Sequence, residues 1–323
     1  MDTIDWLLDS DPAISWQAMR DLSDAAPSDI AAKRARIPRE GIGAEILAHQ
    51  SSDGPWHRAD TADWLPTLFT MLLLRATGID RTEPAVKSAI TRLEAGFRWH
   101  QDLGGKPFFE GETEPCINGG TLALGAYFGR PSENLMRRLL GEQLEDGGWN
   151  CDAPKSTRSS FHTTICVLEG LLEYERAVVS APEIAAARGR GEEYLLKRAL
   201  FRRLSTGNVA NPDFLKFAFP PRYCYDVLRA LHYFRDVGLL EGNQPDPRVA
   251  EALRFVEGRR QPDGRWLLDD THNEALAFPF NESIGEPSRW NTLRALRVLR
   301  WYKRGASRGA LHRSRRRHIR LSS

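Results

Sequence analysis

The 323-residue chain has little cysteine: Cys116, Cys151, Cys166 and Cys224 are its four, and none sits in a Cys-x-x-Cys spacing. That excludes a disulfide-stapled mini-protein and suits a reducing compartment with free thiols. Long apolar runs are missing too. No stretch approaches the roughly 20 residues that span a bilayer, and Met1 opens an acidic segment rather than a basic, apolar leader, so the expected location is the cytoplasm. Gly-rich phosphate loops and RNA- or DNA-reading motifs are absent, which argues against a nucleic-acid partner. Lysine is scarce, 7 against 38 arginines, and the charges nearly cancel, with 45 basic and 43 acidic residues. With 41% hydrophobic residues this is the composition of a globular chain. At this length folding hides about 75% of the chain's surface, so a core forms without metal or disulfide.

The basic charge is unevenly placed. Eight positive residues follow Tyr302, from Lys303 to Arg320, and without them the body carries about −6. A short basic tail of this kind reads as a disordered extension at 304–323.

Internal repeats organise the rest. Gln50–Trp56 (QSSDGPW), Gln143–Trp149 (QLEDGGW) and Gln261–Trp266 (QPDGRW) share a Gln, an Asp-Gly or Gly-Gly turn and a Trp; Gln101–Phe108 (QDLGGKPF) is a degraded copy. The glutamines step by 51, 42 and 118 residues, and the last interval, being two periods, predicts an unmarked repeat ending near 197–207. Such a period is one helical hairpin, too small to bury its own apolar face and stable only when stacked on neighbours. Between the marks the apolar spacing is helical, as in Leu65, Leu68, Phe69, Leu72 and Leu73. Outer helices are predicted near 28–50, 83–101, 132–145, 183–203 and 247–261, and inner helices near 60–77, 116–128, 160–176, 214–237 and 288–303. Residues 1–27 add a sixth hairpin, with Asp11 and Pro12 as cap and first-turn residue. Six hairpins in succession close into an all-α (α/α)6 toroid, a single domain over 1–303 whose inner helices line a central cavity. The repeat tryptophans Trp56, Trp149 and Trp266 read as staples between hairpins.

These repeats, together with EPCINGG (114–120), STRSSFHTTICVLEGLLEYE (156–175), FPPRYCYDVLRAL (219–231) and PSRWNTLRALRVLRWY (287–302), resemble the terpenoid cyclase and protein prenyltransferase superfamily. The nearest resemblance is to short bacterial squalene-cyclase-like, prenyltransferase-repeat proteins. It implies the toroid and an isoprenoid or similarly apolar small-molecule substrate; no obligatory partner subunit is evident.

The chemistry-bearing residues cluster at the starts of inner helices, where dipoles point positive. Glu114 and Cys116 open one such helix and His162 opens the next. Carboxylate, thiolate and imidazole make a possible zinc set with an open fourth position; alternatively Cys116 is core and His162 a capping residue. The resemblance implies the same set, since prenyltransferase β subunits bind zinc through an Asp-x-Cys and a following His, with Glu114 here replacing the Asp. Lys155, Arg158 and Arg222 are candidates to hold a diphosphate. Asp226, flanked by Tyr223 and Tyr225, is a candidate proton donor for a class II cyclase reaction, because a desolvated carboxyl has a raised pKa; the string LLDDT (267–271) lacks the first Asp of the motif such cyclases use. Trp64, Phe161, Phe219, Tyr223, Tyr225 and Trp290 are candidate walls of an isoprenoid pocket. Two other readings stay open. One is an (α/α)6 carbohydrate-active enzyme using carboxylates among Glu112, Glu114, Asp152, Asp226, Glu274 and Glu282, with the Trp turns as sugar platforms. The other is a non-catalytic toroid that binds a lipid or a protein. The loop 267–286, with Asp269, Asp270, His272 and Glu274, is either a lid or a plain extension.

Overall fold

A computed structural model describes residues 2–320 except 62, 63, 179, 180 and 273–275, with side chains up to residue 305. Among the described residues thirteen helices form six hairpins. The outer members are α1 (Thr3–Leu8), α3 (Pro27–Arg34) with α4 (Gly41–Ala48), α6 (Pro84–Gly96), α8 (Glu133–Gly141), α10 (Pro182–Leu196) and α12 (Ala250–Gly258). Each is followed by its inner partner: α2 (Pro12–Leu22), α5 (Trp64–Ala76), α7 (Pro115–Tyr127), α9 (Phe161–Ala177), α11 (Val227–Glu241) and α13 (Arg289–Arg320). The expected all-α toroid is therefore present.

The inner helices run parallel: Arg229 at the start of α11 pairs with Glu169 of α9, whereas Arg176 at the end of α9 pairs with Asp236 further along α11. α7 and α9 approach so closely that a Cβ on Gly119 would lie 2.4 Å from the Cys166 backbone, and one on Gly170 2.4 Å from the Gly119 carbonyl. Glycine at this crossing sets the spacing that brings the two helix starts together.

The marked turns repeat one set of bonds. Trp56, Trp149 and Trp266 are fully buried. Each indole N–H donates to a carbonyl of its own outer helix, Ile46, Leu139 and Val256 respectively, at 2.7–2.8 Å. Each Trp backbone N–H donates to a threonine on the following inner helix, Thr67, Thr164 or Thr292, at 3.0–3.1 Å. The glutamine reaches sideways. Gln50 donates to Gly54 O and Ala89 O on α6, and Gln143 to Gly147 O and Ala187 O on α10. Arg92 and Arg190 on those neighbours donate back to the glutamine oxygens. In the third copy Gln261 stays local, bonding Arg259 O, and the turn glycine makes the junction: Gly264, at φ +86°, leaves a Cβ only 2.4 Å from Thr3 Oγ1 on α1. The last repeat thus abuts the first helix. Thr3 donates to Asp263 O at 3.2 Å, Arg289 to Asp9 O at 3.0 Å, and Arg297 of α13 binds Asp21 and Gln17 of α2. In the degraded copy Phe108 is buried in the Trp position and stacks on Trp99.

Three boundaries differ from expectation. The first outer helix divides at 35–40, where Pro38 cannot donate a helical bond. The α10 helix stops at Leu196, and the chain turns through left-handed Ala199 and Leu200. The α11 helix begins at Val227 rather than near 214 because Pro220 and Pro221 lack N–H groups; a short 3-10 turn, Pro212–Leu215, precedes it. The backbone of the basic tail continues α13 to Arg320, and the tail side chains from 306 lie outside the described residues.

Replacing Trp149 with Ala is expected to lower stability by about 3–5 kcal/mol, and Gln143→Leu by about 1–2 kcal/mol through two unanswered carbonyls. Denaturant unfolding of the purified variants checks both values. Wild-type stability in Gln143→Leu would show that the sideways tie contributes nothing.

Candidate functional site

The parallel inner helices bound a central cavity of about 880 Å³, together with α3, which was expected in the outer wall but lines the cavity through Pro27, Ile30, Ala31 and Arg34. The loop after Pro212–Leu215 and the loop between α12 and α13 occupy the end of the ring where inner helices start. Ala218 bridges Asp270, and Phe217 N–H donates to Asp269 Oδ2 at 2.7 Å. Trp266–Leu267 (β1) pairs antiparallel with Pro287–Ser288 (β2) at the base of the second loop. Leu276, Phe278 and Phe280 of that loop are buried, Phe280 against Phe219, whereas Asn281 and Ser283–Glu286 are exposed, so the loop packs inward through its aromatic stretch and returns along the surface. Glu282 accepts from Ser288 Oγ and Arg289 N, fixing the start of α13; Glu274 lies outside the described residues. At the other end Leu239, 59% exposed, lines the cavity, which places the mouth at the carboxyl ends of the inner helices.

Among the expected substrate residues, Phe219 and Trp290 stack at 4.4 Å and line the cavity, as does Arg222, whose guanidinium lies 5.0 Å over Phe69. Tyr223 lines a small side pocket of about 20 Å³ that borders the cavity. The others lie elsewhere. Trp64 packs on Trp99; Phe161 and Tyr225 belong to an aromatic cluster with Phe214 and Tyr194, where the Tyr225 hydroxyl donates to Leu200 O. Lys155 and Arg158 are exposed in the loop before α9 and do not line the cavity.

Glu114 and Cys116 do come together at the start of α7, the thiol donating to Glu114 Oε2 at 3.6 Å. The third member is Cys151, not His162: among the described residues Glu114, Cys116 and Cys151 alone place three ligand atoms within 4.8 Å of one another. Cys151 follows Trp149 in the marked turn and is held by Thr163, whose Oγ1 lies 3.4 Å from both its N and its Sγ. A hydrogen bond between the two thiols pushes Cys116 up, reinforced by burial, and pulls Cys151 down. His162 instead turns toward α11, its Nδ1 accepting from Tyr225 N at 2.9 Å, and burial and Arg229 lower its pKa. Glu112, buried, accepts from Thr113 and Glu114 and so caps the start of α7.

Asp226 is the N-cap of α11. Its Oδ1 accepts from Arg229 N at 2.6 Å, its Oδ2 faces the Arg294 guanidinium at 3.6 Å, and burial raises its pKa. It is absent from the cavity wall. The carboxylates that do line the cavity are each paired with arginine: Asp21, Asp236, Glu169 and Glu173. Burial alone would push Asp21 up, but Arg20, Arg297 and Arg235 together hold it well below the usual carboxylate range.

This arginine lining escaped the sequence reading. The available signal was a polar stripe on α11, with Arg229, His232, Tyr233 and Asp236 recurring at helical spacing and all on the cavity wall.

No family model matches the chain, and no curated protein sequence matches it significantly. Two solved structures align over most of it. A protein from Actinoplanes is 14% identical at a TM-score of 0.49, covering 90% of this chain and 89% of its own. The type II terpene cyclase MstE from Scytonema, in its apo form, is 16% identical at a TM-score of 0.46, covering 91% and 87%. At these scores neither argues for fold or function, and the ring rests on its own contacts.

His232, on the cavity wall, yields a pH prediction. Burial, with Arg297, Arg235 and Arg294 outweighing Asp236, pushes its pKa down to about 3. Folded His232 is then neutral where the unfolded residue, at its ordinary value of about 6.5, takes up a proton. Stability should fall as pH drops from about 6.5 toward about 3. His232→Gln should flatten thermal stability over that window; an unchanged slope would mean that His232 protonates in the fold.

Proposed function

We propose that this chain binds an isoprenoid or similarly apolar small molecule in the central cavity, as a terpenoid-cyclase-like or prenyltransferase-like protein would. The observation that carries this reading is the cavity itself: about 880 Å³, bounded by the six inner helices and α3 and floored by the Phe219–Trp290 stack. That size suits a small organic ligand, and stacked aromatic faces pack well against branched aliphatic chains. Proton-initiated cyclisation by Asp226 is less well supported, because that carboxyl caps α11 and lies off the cavity wall. The carbohydrate reading is weaker still, since Trp56, Trp149 and Trp266 are fully buried and offer no sugar platform.

A second reading, zinc-assisted transfer to the ligand, is favoured by the cluster at the start of α7. Glu114, Cys116 and Cys151 would hold the ion through sulfur and oxygen donors, three ligands as in open zinc sites. A zinc ion there would supply a Lewis acid. The Cys116 side chain lines the side pocket, whose wall shares Arg75, Glu169 and Arg229 with the cavity, so the cluster stands beside the ligand space.

Titration of the apo protein with farnesol, followed by tryptophan fluorescence, should give saturable binding that Trp290→Ala weakens about tenfold, on the order of 1.4 kcal/mol. No saturable binding would refute the cavity reading. Elemental analysis should find one zinc per chain, lost in Cys116→Ala and Cys151→Ala and retained in His162→Ala; metal-free wild type would remove the zinc reading.

A further inference from the structure

We infer that the molecule taken into the cavity is an amphiphilic anion, its oxyanion head held among arginines at the carboxyl ends of the inner helices and its apolar body on the Phe219–Trp290 floor. This rests on the reading of the cavity as a ligand site and names the ligand's chemistry.

Among the described residues the cavity wall carries nine arginines and four carboxylates. Their placement matters more than their number. Around Asp21 and Asp236, near the mouth, Arg20, Arg235 and Arg297 share two acids: Asp21 meets all three, and Asp236 meets Arg235 at 2.6 Å. Arg176 also reaches Asp236, at 3.4 Å. The side chains of Arg297 and Arg235 are only 5% and 8% exposed. The two buried cations are matched by the two acids, and the surplus charge, on Arg20 and Arg176, stands partly exposed beside them, where the oxyanion of an entering ligand can meet it.

Helix dipoles do not remove the excess. The carboxyl ends of the inner helices point toward this level, each carrying roughly half a negative charge, but other cations answer several of them. Arg34 donates to the Gly78 and Ile79 carbonyls beyond α5, and Arg81, outside the cavity wall, lies against those of Ala126 and Tyr127 at the end of α7. Arg20, Arg235 and Arg297 remain to be balanced by two carboxylates. The protonation of the neighbourhood agrees: burial lowers Arg297 to about 10, with Arg235 and Arg20 adding to the effect, and His232 beside it is held neutral.

Guanidinium groups suit the task. They are weakly hydrated and present paired N–H donors that match the two oxygens of a carboxylate or phosphoryl group. The head site lies near the mouth, Lys155 and Arg158 stand off the cavity wall, and Leu72, Leu73 and Leu293 give that wall apolar surface for the ligand's body. A ligand bound this way enters tail first.

Calorimetric titration of the purified full chain with farnesol, farnesoic acid and farnesyl monophosphate tests this, since the three share one tail. The expected result is that at least one anion binds tenfold or more tighter than the alcohol, that 0.5 M KCl erodes this preference, and that Arg20→Gln and Arg176→Gln reduce it. Both substituted side chains are partly exposed, 43% and 30%, so thermal melting should show folded variants; should either fail to fold, the wild-type salt dependence still decides. Preference for the carboxylate or for the phosphate names the head group. Equal affinity for all three ligands would overturn the anionic head and leave the apolar cavity standing. Binding of none would overturn both.

Discussion

The ring depends on one recurring tie. In each marked turn a buried indole N–H satisfies an outer-helix carbonyl while the Trp backbone N–H is satisfied by a threonine on the inner helix. One residue therefore locks outer helix, turn and inner helix into a single angle. A helical hairpin has no core of its own, so its stability comes from the sideways contacts, Gln50 and Gln143 onto the next outer helix and Gly264 onto Thr3. Repetition of one angle, rather than any long-range pairing of strands, is what bends the row of hairpins until α13 meets α2.

Closure has an electrostatic consequence. Parallel inner helices gather their carboxyl ends at one end of the cavity, where Arg34 and Arg81 answer carbonyls beyond α5 and at the end of α7. Other arginines at that level form the shared clusters around Asp21 and Asp236. The same geometry gathers the helix amino ends at the opposite face, where side-chain acceptors are needed. Asp226, Glu112 and Glu282 supply them. Carboxylates at helix starts are therefore capping groups here, and the two ends of the ring carry different chemistry: capping acids and thiols where the inner helices start, arginines at the mouth.

The thiol cluster follows from the same repeat. Cys151 lies two residues after Trp149, and Thr163, beside the Thr164 that takes the Trp backbone bond, holds it. With α7 and α9 drawn together at Gly119 and Gly170, the turn of one repeat is set over the helix start of the previous one. That is why Cys116 meets Cys151. His162, one residue into α9, turns the other way because the neighbouring α11 offers the Tyr225 N–H.

The hairpin count, the alternation of inner and outer helices and the structural role of Trp56, Trp149 and Trp266 were legible in the sequence, because they follow from local periodicity and from a turn motif whose Trp bonds stay within one hairpin. Boundaries at Pro38 and Pro220–Pro221 were written in the prolines, though apolar spacing there suggested longer helices. The site was only half legible. Glu114 with Cys116, and Phe219 with Trp290 and Arg222, were found from their positions near helix starts, whereas Lys155, Arg158, Trp64 and Phe161 fall outside the cavity. Which residue joins Cys116, and which of 38 arginines face inward, was decided only by the tertiary structure. Helical periodicity places a residue on a stripe, but the rotation of each helix against its neighbours is set by packing at close crossings such as Gly119–Gly170, and that rotation determines which stripe sees the cavity.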